Sequence, residues 1–350
     1  MKYKTIQRGM ISFHSGITRM EQKHEWGKYM TTKIIGTGSA VPDRVVTNDD
    51  LAKIVDTSDE WIQSRTGIRE RRIADAQSGT TDLAIKAAMA ALKDSGVSAD
   101  ELDIIVLATS SPDRCFPSGA CEVQAAIGAH RAIAFDLSAA CSGFVYGFHT
   151  ISAFFQAGIY KTGLIIGADT LSKLIDWKDR GTCVLFGDGA GATVVRSQDE
   201  GKLYMTLGAD GTRGSALDCV SRTTGDFLTG QEPETGYMTM DGQEVFRFAV
   251  KTVPEAISEV LSESGTDISE IKYFILHQAN YRIFESIAKR LKVPMEKFPT
   301  NLERYGNTSG ASIPILLDEL NKAGKLQQGD KIVLAGFGAG LTWGATLMEW

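Results

Sequence analysis

The sequence predicts an α/β fold built from two similar halves, and three observations carry that prediction. Short apolar runs alternate with helical patterns from residue 30 to about 198, the order expected of βαβ units with parallel strand pairing. The same programme returns after the polar break Gln198-Asp-Glu-Gly-Lys202. The two stretches also carry matching glycine-rich turns, Phe186-Gly-Asp-Gly-Ala-Gly and Gly336-Phe-Gly-Ala-Gly. Such internal repetition points to a duplicated unit. We therefore divide the chain into a leader at 1–29, an N-terminal half at 30–198 and a C-terminal half at 203–350.

Each element follows from its local pattern. Met1 to Tyr29 scatters charges among isolated apolar residues and has no continuous hydrophobic block, so it is neither a secretory signal nor part of the core. Ile34-Ile35 opens a strand, Asp49–Ser64 reads as one helix, and Thr81–Ser95 is an alanine-rich helix. Leu102–Thr109 is a buried strand and Ser118–Ile127 a helix. Ala132–Leu137 is extended and leads through small residues into the apolar helix that follows Cys141. Thr162–Ala168 and Ala190–Arg196 complete the first half as strands. In the second half Val253–Ser264 is helical, Ile271–Leu276 is a buried strand ending at His277, Asn307 opens a helix, and Lys331–Gly336 is a strand. Strands this uniformly apolar are buried on both faces and need helix layers inside and outside the sheets.

Composition narrows the function. The 350 residues are 43% hydrophobic and 23% charged with a net charge of −6, a soluble profile without a general nucleic-acid footprint. No apolar run is long enough to span a bilayer, so no membrane association is expected. The five cysteines form no C-x-x-C pair, which argues against a zinc site or disulfide framework and suits a reducing cytoplasm. Gly36-Thr-Gly-Ser-Ala-Val-Pro42 begins like a dinucleotide fingerprint, but Val41 and Pro42 break it, so nicotinamide binding is rejected.

Three side chains are candidates for chemistry. Cys141 falls at a helix N-terminus, where unpaired N–H groups carry roughly half a positive charge and favour the thiolate. His277 ends a buried strand, where α/β sheets place ligands. Asn307 follows Gly306 at the start of a helix, a position at which asparagine also serves as a plain cap. Duplication would set the Cys141 and Asn307 helix starts face to face, with His277 beside them. The turn after Gly336 supplies backbone N–H groups; that of Gly340, paired with that of Cys141, would make an oxyanion hole, and losing one such donor commonly costs about 10²–10³ in rate. Arg282, Lys289 and Arg290 fall on one helix face, with Arg247 joining them, as a docking surface for an acidic partner or as an ordinary solvated face.

These motifs, with Ser58-Asp-Glu-Trp-Ile, Arg65-Thr-Gly-Ile-Arg-Glu-Arg, Asp179-Arg-Gly-Thr, His277-Gln-Ala-Asn and Gly306-Asn-Thr-Ser-Gly-Ala-Ser, resemble those of the β-ketoacyl-[acyl-carrier-protein] synthase III family, the initiating condensing enzymes of type II fatty-acid synthesis. The likeness runs from Met30 to Trp350. It implies the thiolase-like fold, five layers αβαβα from two pseudo-duplicated halves, in a homodimer. It implies an acyltransferase that loads an acyl primer from acyl-CoA onto Cys141 and condenses it with malonyl-ACP to 3-ketoacyl-ACP, releasing CO₂ and CoA, with no cofactor and no metal.

The same resemblance assigns His277 and Asn307 to the malonyl thioester carbonyl and Cys141 and Gly340 to the oxyanion hole. Thr57, Trp61, Arg65, Arg180 and Asn280 match CoA contacts. Phe116, Met240 and Phe246 match the acyl pocket, and Phe116 reaches across the dimer. Arg247, Arg282, Lys289 and Arg290 match the carrier-protein docking face. The narrowing aromatics favour acetyl-CoA or another short primer. A secondary-metabolism synthase with a special primer is the alternative within the superfamily. A Cys-His-Asn hydrolase is the alternative outside it, although the signature around a papain-type cysteine is missing.

Overall fold

The computed structural model describes residues 30–201 and 203–350. The leader assigned to residues 1–29 therefore lies outside the described residues.

Two sheets form the body. The first contains β1 (Thr31–Ala40), β2 (Ile104–Ala108), β3 (Ile133–Leu137), β4 (Thr162–Asp169) and β5 (Gly189–Gln198) in the order β1-β5-β4-β2-β3. The second contains β6 (Leu203–Ala209), β7 (Ile271–Leu276), β8 (Lys331–Gly338) and β9 (Thr342–Glu349) in the order β6-β9-β8-β7. Strand for strand, β1-β5-β4-β2 repeats as β6-β9-β8-β7. The directions repeat as well: antiparallel, antiparallel, then parallel in each sheet. The first sheet adds β3, parallel to β2.

Helices fill three layers around these sheets. α2 (Thr80–Ser95) and α3 (Gly119–Ile127) cover the outside of the first sheet. α4 (Gly143–Gln156) and α7 (Ser312–Lys322) lie between the sheets, and α5 (Gly242–Ser264) and α6 (Tyr281–Leu291) cover the outside of the second. The layering follows from the two-residue period of the strands. Ile105 and Leu107 pack outward under α2 while Ile104 and Val106 pack inward on α4. Val333, Ala335 and Phe337 face α5 and α6 while Ile332 and Leu334 face the middle layer. α4 is apolar on nearly every face because it has a sheet on either side, and truncating a fully buried ring such as Phe148 to alanine would cost about 3–5 kcal/mol.

Several local readings change. Asp49–Ser64 is not one helix: Asn48–Leu51 forms a single turn, and α1 (Asp59–Thr66) starts afresh with Ser58 as its N-cap and ends at Gly67 in the left-handed conformation. The helix read from Val253 begins at Gly242 and runs through Pro254, capped by Asp241, whose carboxylate accepts from the Gln243 and Glu244 N–H groups. The glycine-rich stretch that resembled a dinucleotide loop lies inside β1. A Cβ on Gly38 would stand 2.3 Å from the Ala91 nitrogen of α2, so close strand–helix packing explains that glycine.

Candidate active site

The centre of the molecule is where the two middle helices begin. A short 3₁₀ turn, Ala140–Ser142, leads into α4, and its counterpart, Ser309–Ala311, leads into α7. The two turns pack against each other, as duplication predicts. Each opens on a non-glycine residue in the left-handed region, Ala140 at φ 45° and Ser309 at φ 52°. Strained backbone of this kind persists only where the surroundings over-determine it, and it gathers at active sites.

Cys141 sits in the first of these turns and is 6% exposed. Its exposure is to two cavities. One, of about 110 Å³, is bounded by Cys141, Phe186, Phe246, His277, Asn307 and Phe337. The other, of about 440 Å³, lies against Cys141, Leu174, Leu217, Met238, Ser309 and Gly340. The sulfur thus shares the smaller space with both the imidazole and the amide. Gly338 forms the floor beneath it; a Cβ there would stand 2.8 Å from Cys141 Cβ and 3.3 Å from Sγ.

His277 follows β7 and donates its N–H to Ala335 O at 2.9 Å. Its Nδ1 lies 2.8 Å from Ser312 Oγ, and its ring packs edge-on against Phe337, so Nε2 is the nitrogen left for a ligand. Asn307 is fixed by its own backbone: its N–H donates to Leu185 O at 2.8 Å and its carbonyl accepts from the Gly187 N–H at 3.0 Å. Asn307 Oδ1 accepts from the Ser309 N–H at 2.8 Å, which leaves Nδ2 as a free donor. Asn307 does not open the helix directly, since the 3₁₀ turn at 309–311 and then α7 from Ser312 follow it.

The electrostatics correct one expectation. The helix start was expected to acidify Cys141. Burial instead pushes the thiol up to about 12, and a hydrogen bond from Ser309 offsets this only in part. Burial likewise holds His277 down to about 3. Taking a charge out of water outweighs the field of one helix end, so the resting pair is a thiol beside a neutral imidazole.

The remaining sequence-derived residues fall in several places. Gly340, at φ 130°, lines the larger cavity beside Cys141. Met240 and Phe246 line the smaller cavity with His277, not the larger one, while Phe116 is 85% exposed on the surface. The larger cavity is walled instead by Leu171, Leu174, Leu217, Cys219 and Met238, which sequence reasoning missed because they come from separate segments with no shared period.

The Arg180 guanidinium lies 4.9 Å from the Trp61 ring centroid. A third planar ring between them needs about 7 Å, two contacts of roughly 3.5 Å, so this pair must part to admit one. Asn280 caps α6, its Oδ1 accepting from the Arg282 N–H at 2.9 Å, and lines the smaller cavity. Its Nδ2 donates to Arg65 O at 3.1 Å, and Thr57 Oγ1 is buried without a partner. On the basic face Arg247 pairs with Glu244 and Arg290 with Glu255, whereas Arg282 and Lys289 form no salt bridge among the described residues. No cluster of three or more His, Cys, Asp or Glu able to hold a metal occurs among the described residues, and no described helix is long and apolar enough to cross a membrane.

A buried cysteine, an imidazole and an amide converging on one cavity between two duplicated α/β halves define a thiolase-fold acyl-condensing enzyme. Family models place it more closely. Residues 135–211 match the 3-oxoacyl-[acyl-carrier-protein] synthase III model and residues 261–350 match the model of that enzyme's C-terminal part. The chain is 51% identical over 322 residues, 91% of its length and 99% of the relative's, to the β-ketoacyl-[acyl-carrier-protein] synthase III of Clostridium acetobutylicum. Among solved structures it resembles 3-oxoacyl-[acyl-carrier-protein] synthase III from Aquifex aeolicus at 47% identity and TM-score 0.84, covering 91% of this chain and 100% of that one. The priming β-ketosynthase of the R1128 polyketide pathway resembles it at TM-score 0.83 and 33% identity, covering 91% of this chain and 96% of that one. The chain belongs to the β-ketoacyl-[acyl-carrier-protein] synthase III family, and it is an acyltransferase that carries out the initiating condensation of fatty-acid synthesis.

Proposed function

We propose that this chain takes a short acyl primer from acyl-CoA onto Cys141 and condenses it with malonyl-ACP, with His277 and Asn307 serving the malonyl half of the reaction. The observation that carries this reading is the small cavity in which the sulfur, the free imidazole nitrogen and the free amide N–H₂ meet. In the tautomer in which Nδ1 accepts the Ser312 hydroxyl proton, Nε2 carries the ring's proton and donates to the malonyl thioester carbonyl beside Asn307 Nδ2. Two donors on that oxygen stabilise the enolate formed as CO₂ departs. A neutral imidazole suits this role, because donation from Nε2 needs no change of charge. The carbanion then attacks the acyl-Cys141 carbonyl, whose oxyanion rests on the N–H groups of Cys141 and Gly340. Covalent transfer divides one difficult condensation into two easier steps.

Trp61, Arg180, Thr57, Arg65 and Asn280 are proposed to hold CoA, the Trp61–Arg180 pair opening around the adenine. Met240 and Phe246 then belong to the approach to His277, and the larger cavity houses the primer. Its 440 Å³ accommodates acetyl or another short chain, straight or branched. Phe116 is offered to a second copy in a homodimer, which we place in the cytoplasm. Arg282 and Lys289 give the carrier protein its unpaired positive charge, with Arg247 and Arg290 at the edge of that face. The enzyme is read as needing no cofactor, both thioesters being substrates.

The test separates the half-reactions. Cys141→Ala should abolish acyl transfer, and His277→Ala should lose malonyl-ACP decarboxylation. Condensation of acetyl-CoA with malonyl-ACP by Cys141→Ala would contradict the reading.

A further inference from the structure

Arg71 is fully buried, and among the described residues no carboxylate pairs with it; the neighbouring Glu70 pairs with Arg72 instead. Burial lowers the guanidinium to about 10, so it is still a cation at neutral pH. Its acceptors are all uncharged. Nη1 donates to Asn48 Oδ1 at 2.8 Å and to Val46 O at 3.3 Å, and Nη2 donates to Val184 O at 2.8 Å. Nε is buried without a partner among the described residues. A buried charge with no counter-ion is a poor source of stability, and an apolar side chain of similar volume often replaces one without loss. The mechanism above does not use it.

Its place in the fold supplies a role. Val184 closes the single helical turn Arg180–Cys183, and the three residues after it grip Asn307. Leu185 O accepts the Asn307 N–H at 2.8 Å, the Gly187 N–H donates to Asn307 O at 3.0 Å, and Phe186 pairs with Asn307 as a parallel bridge. One short strand, Glu70–Arg72, holds this grip at both ends. Arg71 Nη2 binds Val184 O at one end, and Arg72 O accepts the Asp188 N–H at 2.8 Å at the other. The packing leaves no slack. A Cβ on Gly187 would stand 2.2 Å from Tyr305 O and 3.2 Å from Arg71 Cβ. One on Gly306 would stand 2.8 Å from Leu185 O and 3.4 Å from Arg71 Cβ. Arg71 therefore packs against both segments that meet at the Asn307 bridge.

We propose that Arg71 is a positioning residue for the malonyl half of the reaction, fixing the Asn307 amide through the segment Val184–Gly187. This rests on the functional reading given above. The planar guanidinium fork lets one side chain hold acceptors on two separate segments, Val184 O and Asn48 Oδ1, where a lysine ammonium offers a single point. The Asn48 arm is itself anchored: its Nδ2 donates to Ile68 O and to Asp59 Oδ1, both at 2.8 Å, and Asp59 is the first residue of α1. The fork thus ties the Asn307 grip to the start of a helix. Primer loading does not pass through Asn307, since its oxyanion rests on the N–H groups of Cys141 and Gly340. The two half-reactions therefore separate the effect of Arg71 from a general loss of structure.

The experiment measures malonyl-ACP decarboxylation and single-turnover acylation by acetyl-CoA on the same preparations of the full chain, with thermal unfolding alongside. Arg71→Met, which keeps the length of the side chain without its donors, should lower the decarboxylation kcat about 100-fold, the loss expected when a reacting group is misplaced by about 1 Å. The maximal acylation rate should change less than about threefold, a difference under 1 kcal/mol. Arg71→Lys keeps the charge and should lower decarboxylation about tenfold, roughly one hydrogen bond, so it serves if Arg71→Met does not fold. In an Asn307→Ala background, Arg71→Met should lower the residual decarboxylation by less than about threefold, because a group that acts through the amide has nothing left to act on. A merely structural arginine would depress both half-reactions together or add its full loss to that of Asn307→Ala. Either result would overturn the proposal, as would wild-type decarboxylation in Arg71→Met and Arg71→Lys. Failure of the wild-type enzyme to decarboxylate malonyl-ACP would overturn the functional reading itself.

Discussion

Replacing Gly338 with alanine tests the contact on which the site is built. The new Cβ would stand 2.8 Å from Cys141 Cβ, 3.1 Å from its nitrogen and 3.3 Å from Sγ. None of these atoms is the far end of a flexible side chain, and one is backbone. To reach an ordinary carbon–carbon contact of roughly 3.5–4 Å, the Ala140–Ser142 turn must move by about 1 Å. Overpacking of this kind costs about 1–3 kcal/mol of stability. A misplacement of about 1 Å at a reacting group can cost about 10² in rate. Gly211 is the control, because an added Cβ there meets nothing within 4 Å. The assay is the rate of acyl-Cys141 formation with acetyl-CoA, read by intact mass, with thermal unfolding measured in parallel. Gly338→Ala should fold with a lowered midpoint and load primer about 100-fold more slowly, while Gly211→Ala should match the parent. Unimpaired loading in Gly338→Ala would refute the packing argument.

Three more outcomes follow from the same geometry. His277 and His149 are held neutral by burial, to about 3 and about 4, while in the unfolded chain both titrate near 6.5. As pH falls below 6.5 the unfolded state gains protons that the folded state refuses, so stability drops by about 3 kcal/mol for each ring by pH 4 and shows no such slope above 6.5. His149→Gln, with the amide facing Thr346 Oγ1, should flatten part of that loss in denaturant midpoints, and an acid profile identical to the parent would contradict it. Trp61→Ala should raise the KM for acyl-CoA with little change in the maximal loading rate; a change confined to that maximal rate would be inconsistent with adenine stacking. Arg282→Glu with Lys289→Glu should raise the KM for malonyl-ACP about tenfold at low salt, less at high salt, and a salt-independent effect would argue against electrostatic docking.

The sequence was informative where physics is local. The period of the strands, the helical stripe after Cys141 and the repeated glycine turns announced two sheets around paired central helices, and the strand orders bear this out. Reading failed where distant segments compete with local signals. Residues 52–58 interrupt the expected Asp49–Ser64 helix because Ser58 offers a fresh cap. The helix read from Val253 begins at Gly242, because tertiary packing of Phe248, Ala249 and Val253 carries α5 across Pro254. The acidity of Cys141 was misjudged for the same reason: a helix start is visible in sequence, whereas the desolvation that opposes it comes from Phe186, Phe337 and Gly338, far along the chain.

The central claim is that the sulfur of Cys141 carries the primer as a thioester, and intact-mass analysis after incubation with a panel of acyl-CoAs tests it most directly. A mass increase of one acyl group, mapped to the peptide containing Cys141 and absent from Cys141→Ala, is the predicted result. An unmodified protein with every acyl-CoA, or an adduct on Cys115, Cys121, Cys183 or Cys219 instead, would contradict it.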